Sequence, residues 1–312
     1  MINKIFIFLL MLVSNAAFAQ RNVEYVIPFT PGGAGDQVAL ILSGALREEL
    51  AAHNINPVLT HRPGGGGALA ASSVAQSDKL QILQATNAIV TVPVINPSAA
   101  NYKIDTDFVP LAYVGYTPML LVVNSNNKIS TIQDFQRECK RRPISYGSAG
   151  IGSVTHIASS MVMDALGCSS VHVPYKGLPQ ALTDLKGAHV DMVVGLLPAV
   201  RPHIDSQALR PLLSVDRNRI TDFNTLPSMT DLGKTDYNFY TWITLMVNSS
   251  ASEKEIEQVR VAVQKSLSRA DVRKRLHDIG LRDINQPIPR TFLSQESQRF
   301  KKILDTTKID AK

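Results

Sequence analysis

Apolar and polar residues along this chain follow two rhythms in turn. Short runs of about four to eight apolar residues, strand-like in length, are followed by stretches in which apolar positions recur every three or four residues, the spacing of one helix face. Tyr25-Val26-Ile27-Pro28-Phe29 is the first strand, and Gln37 to Leu50 carries Val38, Ile41, Leu42, Ala45 and Leu46 at helical spacing, with Asp36 as N-cap. Val58-Leu59-Thr60 leads through His61-Arg62-Pro63 and the run Gly64 to Gly67 into an alanine-rich helix at 68–76, and Leu80 to Ala85 is strand again. The middle repeats the grammar, with strands at 120–123, 144–146, 171–173, 191–195 and around Leu212-Leu213 and helices after Ser153 and around 181–186. Thr241 to Val247 is a further strand, Ser252-Glu253-Lys254-Glu255 is a capping box, and helices close the chain, the last from about residue 290 to 304. Such alternation predicts an α/β fold of parallel sheets wrapped by helices.

Two glycine-rich turns of one kind each follow a strand and precede a helix: Thr30-Pro31-Gly32-Gly33-Ala34-Gly35-Asp36, and Ser148-Ala149-Gly150-Ile151-Gly152-Ser153 after Gly147. Glycine lets backbone approach a ligand closely, and the free N–H groups and positive dipole end of a following helix favour a carboxylate or phosphate. Facing each other across a cleft, the turns suit a ligand with an acidic group at one end and a second polar group at the other; Thr30, Ser148 and Ser153 add hydroxyls. Gly64 to Gly67 is expected on the same side.

At 312 residues the chain exceeds what one core usually supports, and two domains are expected. A formal charge of +6 raises an anionic partner. The N-terminus redirects that inference. Lys4, the apolar run Ile5 to Val13 and the small-x-small triplet Ala17-Phe18-Ala19 form a cleavable secretory signal with cleavage after Ala19, and the run is too short to span a bilayer. Export to the periplasm leaves no nucleic-acid partner, and clusters such as Arg137, Lys140, Arg141 and Arg142 are then solvated faces. Cys139 and Cys168 share a compartment that permits a disulfide, and spacing alone leaves a bond and two inert thiols both open.

No G-x-S-x-G, H-E-x-x-H, Walker or dinucleotide fingerprint is present, and the seven histidines show no metal-ligand spacing. No cofactor, metal or catalytic residue is expected.

Several segments in order are similar to one family. Ile27 to Gly33 with Asp36, Arg62-Pro63-Gly64, Tyr146 to Ser153 with His156, His172-Val173-Pro174-Tyr175-Lys176-Gly177 and Ala181 to Leu185 resemble the periplasmic solute receptors of tripartite tricarboxylate transporters, the Bug family. Leu226-Pro227-Ser228-Met229 and Trp242 fit the same pattern. The resemblance implies a two-lobed type II periplasmic binding fold with a hinge and an interlobe cleft: residues 20–123 plus 242–312 as the first lobe, 124–241 as the second, and 1–19 as the signal. It implies a monomeric receptor for a small mono- or dicarboxylate, held by Pro31 to Asp36 and Ser148 to Ser153 with Tyr175 and Thr30 beside them, and delivered to one large and one small membrane subunit. Two positions depart from the family: Leu40 stands where an arginine is usual, and Asp78-Lys79-Leu80-Gln81 where Asp-Gly-Tyr-Thr is usual.

The competing reading is an exported enzyme running acyl or phosphoryl chemistry in the same cleft with Ser148, His156 or Lys176; it lacks a visible set of nucleophile, base and orienter. The sensing half of a transcription regulator is a third reading, for which the leader and first strand leave no room.

Overall fold

The computed structural model describes residues 20–216, 219–234, 237, 239–289 and 291–306; the expected leader lies outside them. The first sheet is built from β1 (Arg21–Ile27), β2 (Ile55–His61), β3 (Ile82–Thr86), β4 (Phe108–Thr117) and β10 (Thr241–Asn248), in the order β2-β1-β3-β10-β4. The second holds β5 (Met119–Asn124), β6 (Ile144–Ser148), β7 (Ser170–Pro174), β8 (Met192–Leu196) and β9 (Leu209–Ser214), in the order β7-β6-β8-β5-β9. In each sheet three strands run parallel and the next pairs antiparallel, so the two lobes repeat one topology.

Helices α1 (Ala34–Ala51), α2 (Ala68–Ala75) and α3 (Ala88–Ile95) follow β1, β2 and β3. In the second lobe α4 (Ile132–Cys139) precedes β6, and α5 (Val154–Leu166), α6 (Leu178–Lys186) and α7 (Leu197–Asp205) follow β6, β7 and β8. The chain closes with α8 (Glu253–Ser268), α9 (Ala270–Asp278) and α10 (Phe292–Thr306). One core lies between the first sheet and α1, α8 and α9, where Val38, Leu42 and Leu46 meet Val259, Val263 and Leu276. The other runs from Val26, Ala34 and Ile89 through Met119 and Trp242 into the second lobe, so the lobes share apolar packing.

The crossovers are short. Only Pro118 separates β4 from β5, and Phe239-Tyr240 leads into β10. The boundary expected after residue 123 is therefore displaced: β5 pairs with β8 and β9 of the second sheet, and Thr241 already belongs to the first. An all-apolar run reads alike on either side of a crossover, and one proline leaves no linker signature. Helix α10 rests on the second crossover, with Phe300 edge-on to Phe239 and Arg299 over the Tyr240 ring at 4.1 Å. Its buried Glu296 accepts the Trp242 indole N–H at 2.5 Å and is paired with Arg299 at 2.6 Å, which answers the desolvation of that carboxylate.

Sequence patterning missed β4, α3, α4 and α7. Proline explains α3 and α7: Pro93 lies within α3, and Pro198 and Pro202 within α7. Helix α4 is eight residues long and mostly polar, which leaves little apolar period to read. The helix expected from residue 37 begins at Ala34, with Gly33 as its N-cap in place of Asp36.

Cys139 and Cys168 are joined as a disulfide, settling the open alternative and tying the end of α4 to the turn after α5. The bond spans 29 residues, for which chain entropy gives about 3 to 4 kcal/mol. Reduction under native conditions is expected to lower the melting temperature by roughly 10 °C, read by calorimetry against a Cys139→Ser/Cys168→Ser variant that no longer responds to reductant. Asp191, just before β8, receives a two-pronged Arg142 contact at 2.7 and 2.8 Å and both the amide and hydroxyl of Ser145 in β6. Burial pushes its carboxyl up, but these donors outweigh that and hold it below the usual range. A depressed native pKa stabilises above the unfolded value and is lost as pH falls through the native one. Asp191→Asn is thus expected to be less stable than wild type in urea at pH 7, with the gap closing below about pH 4.

Candidate functional site

All six parallel strands point their carboxyl ends at the interlobe boundary, the place where open α/β sheets bind ligands. Each is followed by a helix that starts there. The starts of α1, α2, α3, α6 and α7, at Gly33, Gly67, Asn87, Gly177 and Leu196, receive no side-chain cap, whereas α5 is capped by Ser153. Helices α4 and α8, whose starts are not at these strand ends, carry full capping boxes at Thr131 and Ser252. First-turn amides have no partner within their own helix, but at most of these starts another acceptor or a proline takes the place of a free donor: Ala68 N–H donates to Gly65 O and Leu69 N–H to Gly64 O at α2, Ala88 N–H to Thr86 Oγ1 at α3 and Leu197 N–H to Pro118 O at α7, while Pro179 and Pro198 carry no N–H. Among the described residues the start of α1 differs, because the amides of Ala34, Gly35 and Asp36 have no such acceptor at the positive end of the dipole.

The first turn keeps its amides open by an indirect route. Asp36 turns its carboxylate back onto the Gly32 amide at 2.9 Å and pairs its other oxygen with His61 Nε2 at 2.8 Å. Instead of occupying the amides of α1, it fixes the loop ahead of them. Ala34 is buried, Gly35 and Asp36 are half-buried, and Pro31 and Gly32 are exposed.

The second turn behaves otherwise. The amide of Ala149 donates to Thr155 Oγ1, that of Gly150 to Ser148 Oγ, that of Gly152 to His156 Nδ1 and that of Ser153 to the Gly150 carbonyl. Four donors expected to face solute are therefore used within the turn. What the turn presents to the first lobe is carbonyl oxygen: Thr91 Oγ1 donates to Gly152 O at 2.7 Å, and Ile151 O lies against Gly66.

The pairing of turns also differs from the expectation. Ser148 to Ser153 meets the third turn and α3, through Gly66, Thr91 and Val92. The first turn meets the start of α6, where Thr30 Oγ1 donates to Gln180 Oε1 at 3.2 Å and Pro179 lies beside Gly32 and Gly33. Gln37 Nε2 reaches the Pro198 carbonyl of α7 at 3.1 Å. Gln37, Thr91, Pro179, Gln180 and Pro198 were missed from sequence, since none carries a charge or motif that marks it. Tyr175 spends its hydroxyl on Asp184 at 2.6 Å, and partial burial followed by that carboxylate pushes its pKa up to about 12.

Behind the second turn the rings of Tyr146, His172 and His156 form a stack, with centroids 4.9 and 4.0 Å apart. Ser148 Oγ lies 2.6 Å from His172 Nε2, not beside His156, and both Ser148 and His156 are fully buried while Lys176 is exposed. The three side chains offered for catalysis do not meet. Among the described residues no three His, Cys, Asp or Glu side chains gather as a metal set.

Both departures from the expected pattern lie off the site. Leu40 is 55% exposed on α1. Gln81 donates its amide to the buried Asn248, and Asn248 in turn holds the Lys79 carbonyl, at the end of β3 remote from the boundary.

The sequence model described as the tripartite tricarboxylate transporter family receptor matches residues 38–309. The chain is 27% identical to protein BugT of Bordetella pertussis over 303 residues, covering 95% of this chain and 92% of that one. Among solved structures, the periplasmic binding protein BugD superposes with a TM-score of 0.83 at 24% identity, over 91% of this chain and 98% of its own. The R. palustris protein Rpa4515, solved with adipate, gives 0.83 at 26% identity over 92% and 97%. Two lobes of one topology joined by short crossovers are the fold of these periplasmic binding proteins, and the chain belongs to the family of tripartite tricarboxylate transporter receptors.

Proposed function

We propose that this protein, exported with cleavage after Ala19, is a monomeric periplasmic receptor that closes its lobes on a small mono- or dicarboxylate and delivers it to one large and one small membrane subunit. The observation that carries the reading is the uncapped start of α1, whose first amides Asp36 leaves open by bonding Gly32 instead. One carboxylate group is held there, near Thr30 to Asp36. The other end of the solute lies toward the second lobe, among Ser148 to Ser153, Tyr175 and the start of α6, with hydroxyl and side-chain amide groups in place of the spent amides of the second turn. Adipate in the related structure is a solute of this class. Neutral amides read the carboxylate, so the net charge of +6 is background.

The test is a thermal shift series on protein stripped of small molecules, with acetate, lactate, succinate, malate, glutamate, adipate, benzoate and citrate. A ligand that binds only the native state at a hundred times its Kd adds about 2.7 kcal/mol, a rise of several degrees. A flat response to every acid contradicts the reading. Asp36→Ala, which frees the loop ahead of α1, is expected to weaken the best acid by about tenfold or more through loss of a charge-assisted hydrogen bond, by calorimetric titration, with the fold retained by circular dichroism.

A further inference from the structure

The lobes also meet directly, through Thr91 and Gly66 of the first and the carbonyls of the second turn. Thr91 on α3 is fully buried, and its hydroxyl has two acceptors within reach: Gly152 O across the boundary at 2.7 Å, and Asn87 O one turn back on its own helix at 3.1 Å. One hydroxyl carries one proton, so the two acceptors compete for it. Beside this contact Gly66 holds φ at +65°, and a Cβ there would fall 2.2 Å from Ile151 O and 3.1 Å from the Ser153 amide. A Cβ on Gly152 would come within 2.9 Å of Val92. Backbone therefore meets backbone, at a distance that no side chain on Gly66 permits.

We propose that Thr91 and Gly66 form a latch that sets how far and how often the lobes close, and so tunes solute affinity without touching solute; this rests on the receptor reading above. In the closed form the Thr91 proton goes to Gly152 O. When the lobes part it returns to Asn87 O, the back-bond a threonine makes within a helix, so opening leaves no buried donor unsatisfied. The latch is thereby reversible at low cost, as a receptor that must release its cargo requires. Because apparent affinity scales with the fraction of competent, closed protein, a weaker latch weakens binding of every solute by the same factor. Thr91 and Gly66 are positioning residues.

Thr91→Val keeps the shape and removes the proton. Titrated with adipate and malate, or with the acid of the panel that shifts the wild type most if neither does, it is expected to bind about 5- to 10-fold more weakly, the worth of one hydrogen bond. Its melting temperature without added acid is expected to stay at the wild-type value, and Thr91→Ser to bind as wild type. Gly66→Ala is expected to weaken binding further and to leave the acid-saturated protein with a larger radius of gyration in small-angle scattering. Wild-type affinity in Thr91→Val, or in Gly66→Ala should the first variant fail to fold, overturns the latch, as does a loss matched by equal destabilisation of the acid-free protein. A wild type that responds to no acid of the panel overturns the receptor reading instead.

Discussion

Six parallel strands aim six helix starts at one boundary, and five of those starts carry no side-chain cap. At α2, α3 and α7 backbone carbonyls and Thr86 take first-turn amides, and prolines remove a donor from α6 and α7. The start of α1 is left with open amides at the positive end of its dipole, and an anion with oxygens to share is the chemistry they match. The placement of Asp36 follows from the same constraint. As a cap it would have consumed the amides of α1; bonded to Gly32 and His61 it shapes the loop and leaves them open.

The two sides of the boundary are unequal. The first lobe offers amides at α1, while the turn from Ser148 to Ser153 has turned four of its own inward, braced by Thr155, His156 and the ring stack behind them. It answers the first lobe with carbonyls, to Thr91 and Gly66. The second turn is therefore a rigid surface against which the first lobe packs. Rigidity suits that part: stacked rings and an internal hydrogen-bond network fix where Ile151 O and Gly152 O stand when the lobes meet.

Much of this was legible in the chain. Strand-turn-helix units announced themselves by period and by glycine, which is why the first and second turns, the parallel sheets and the capping box at Ser252 needed no tertiary information beyond their local residues. What depended on partners distant in sequence was not. Nothing near Asp36 tells whether it caps α1 or turns to His61, and nothing near Thr91 marks it as a donor to Gly152. Helix α7, with two prolines, and α3, with one and almost no polar face, lack the pattern that makes a helix visible. The crossover at Pro118 was hidden because β4 and β5 abut, and the disulfide because proximity of Cys139 and Cys168 is a property of the packed lobe.

The central claim is that amides at the start of α1 hold the carboxylate. Amide nitrogen–proton NMR reads it residue by residue, on protein titrated with the acid that mass spectrometry identifies as co-purifying. The account predicts large downfield proton shifts at Ala34, Gly35 and Asp36 and small ones at Ala149, Gly150 and Gly152, whose amides are already bonded within their turn. Shifts concentrated on the second turn with α1 silent would contradict it.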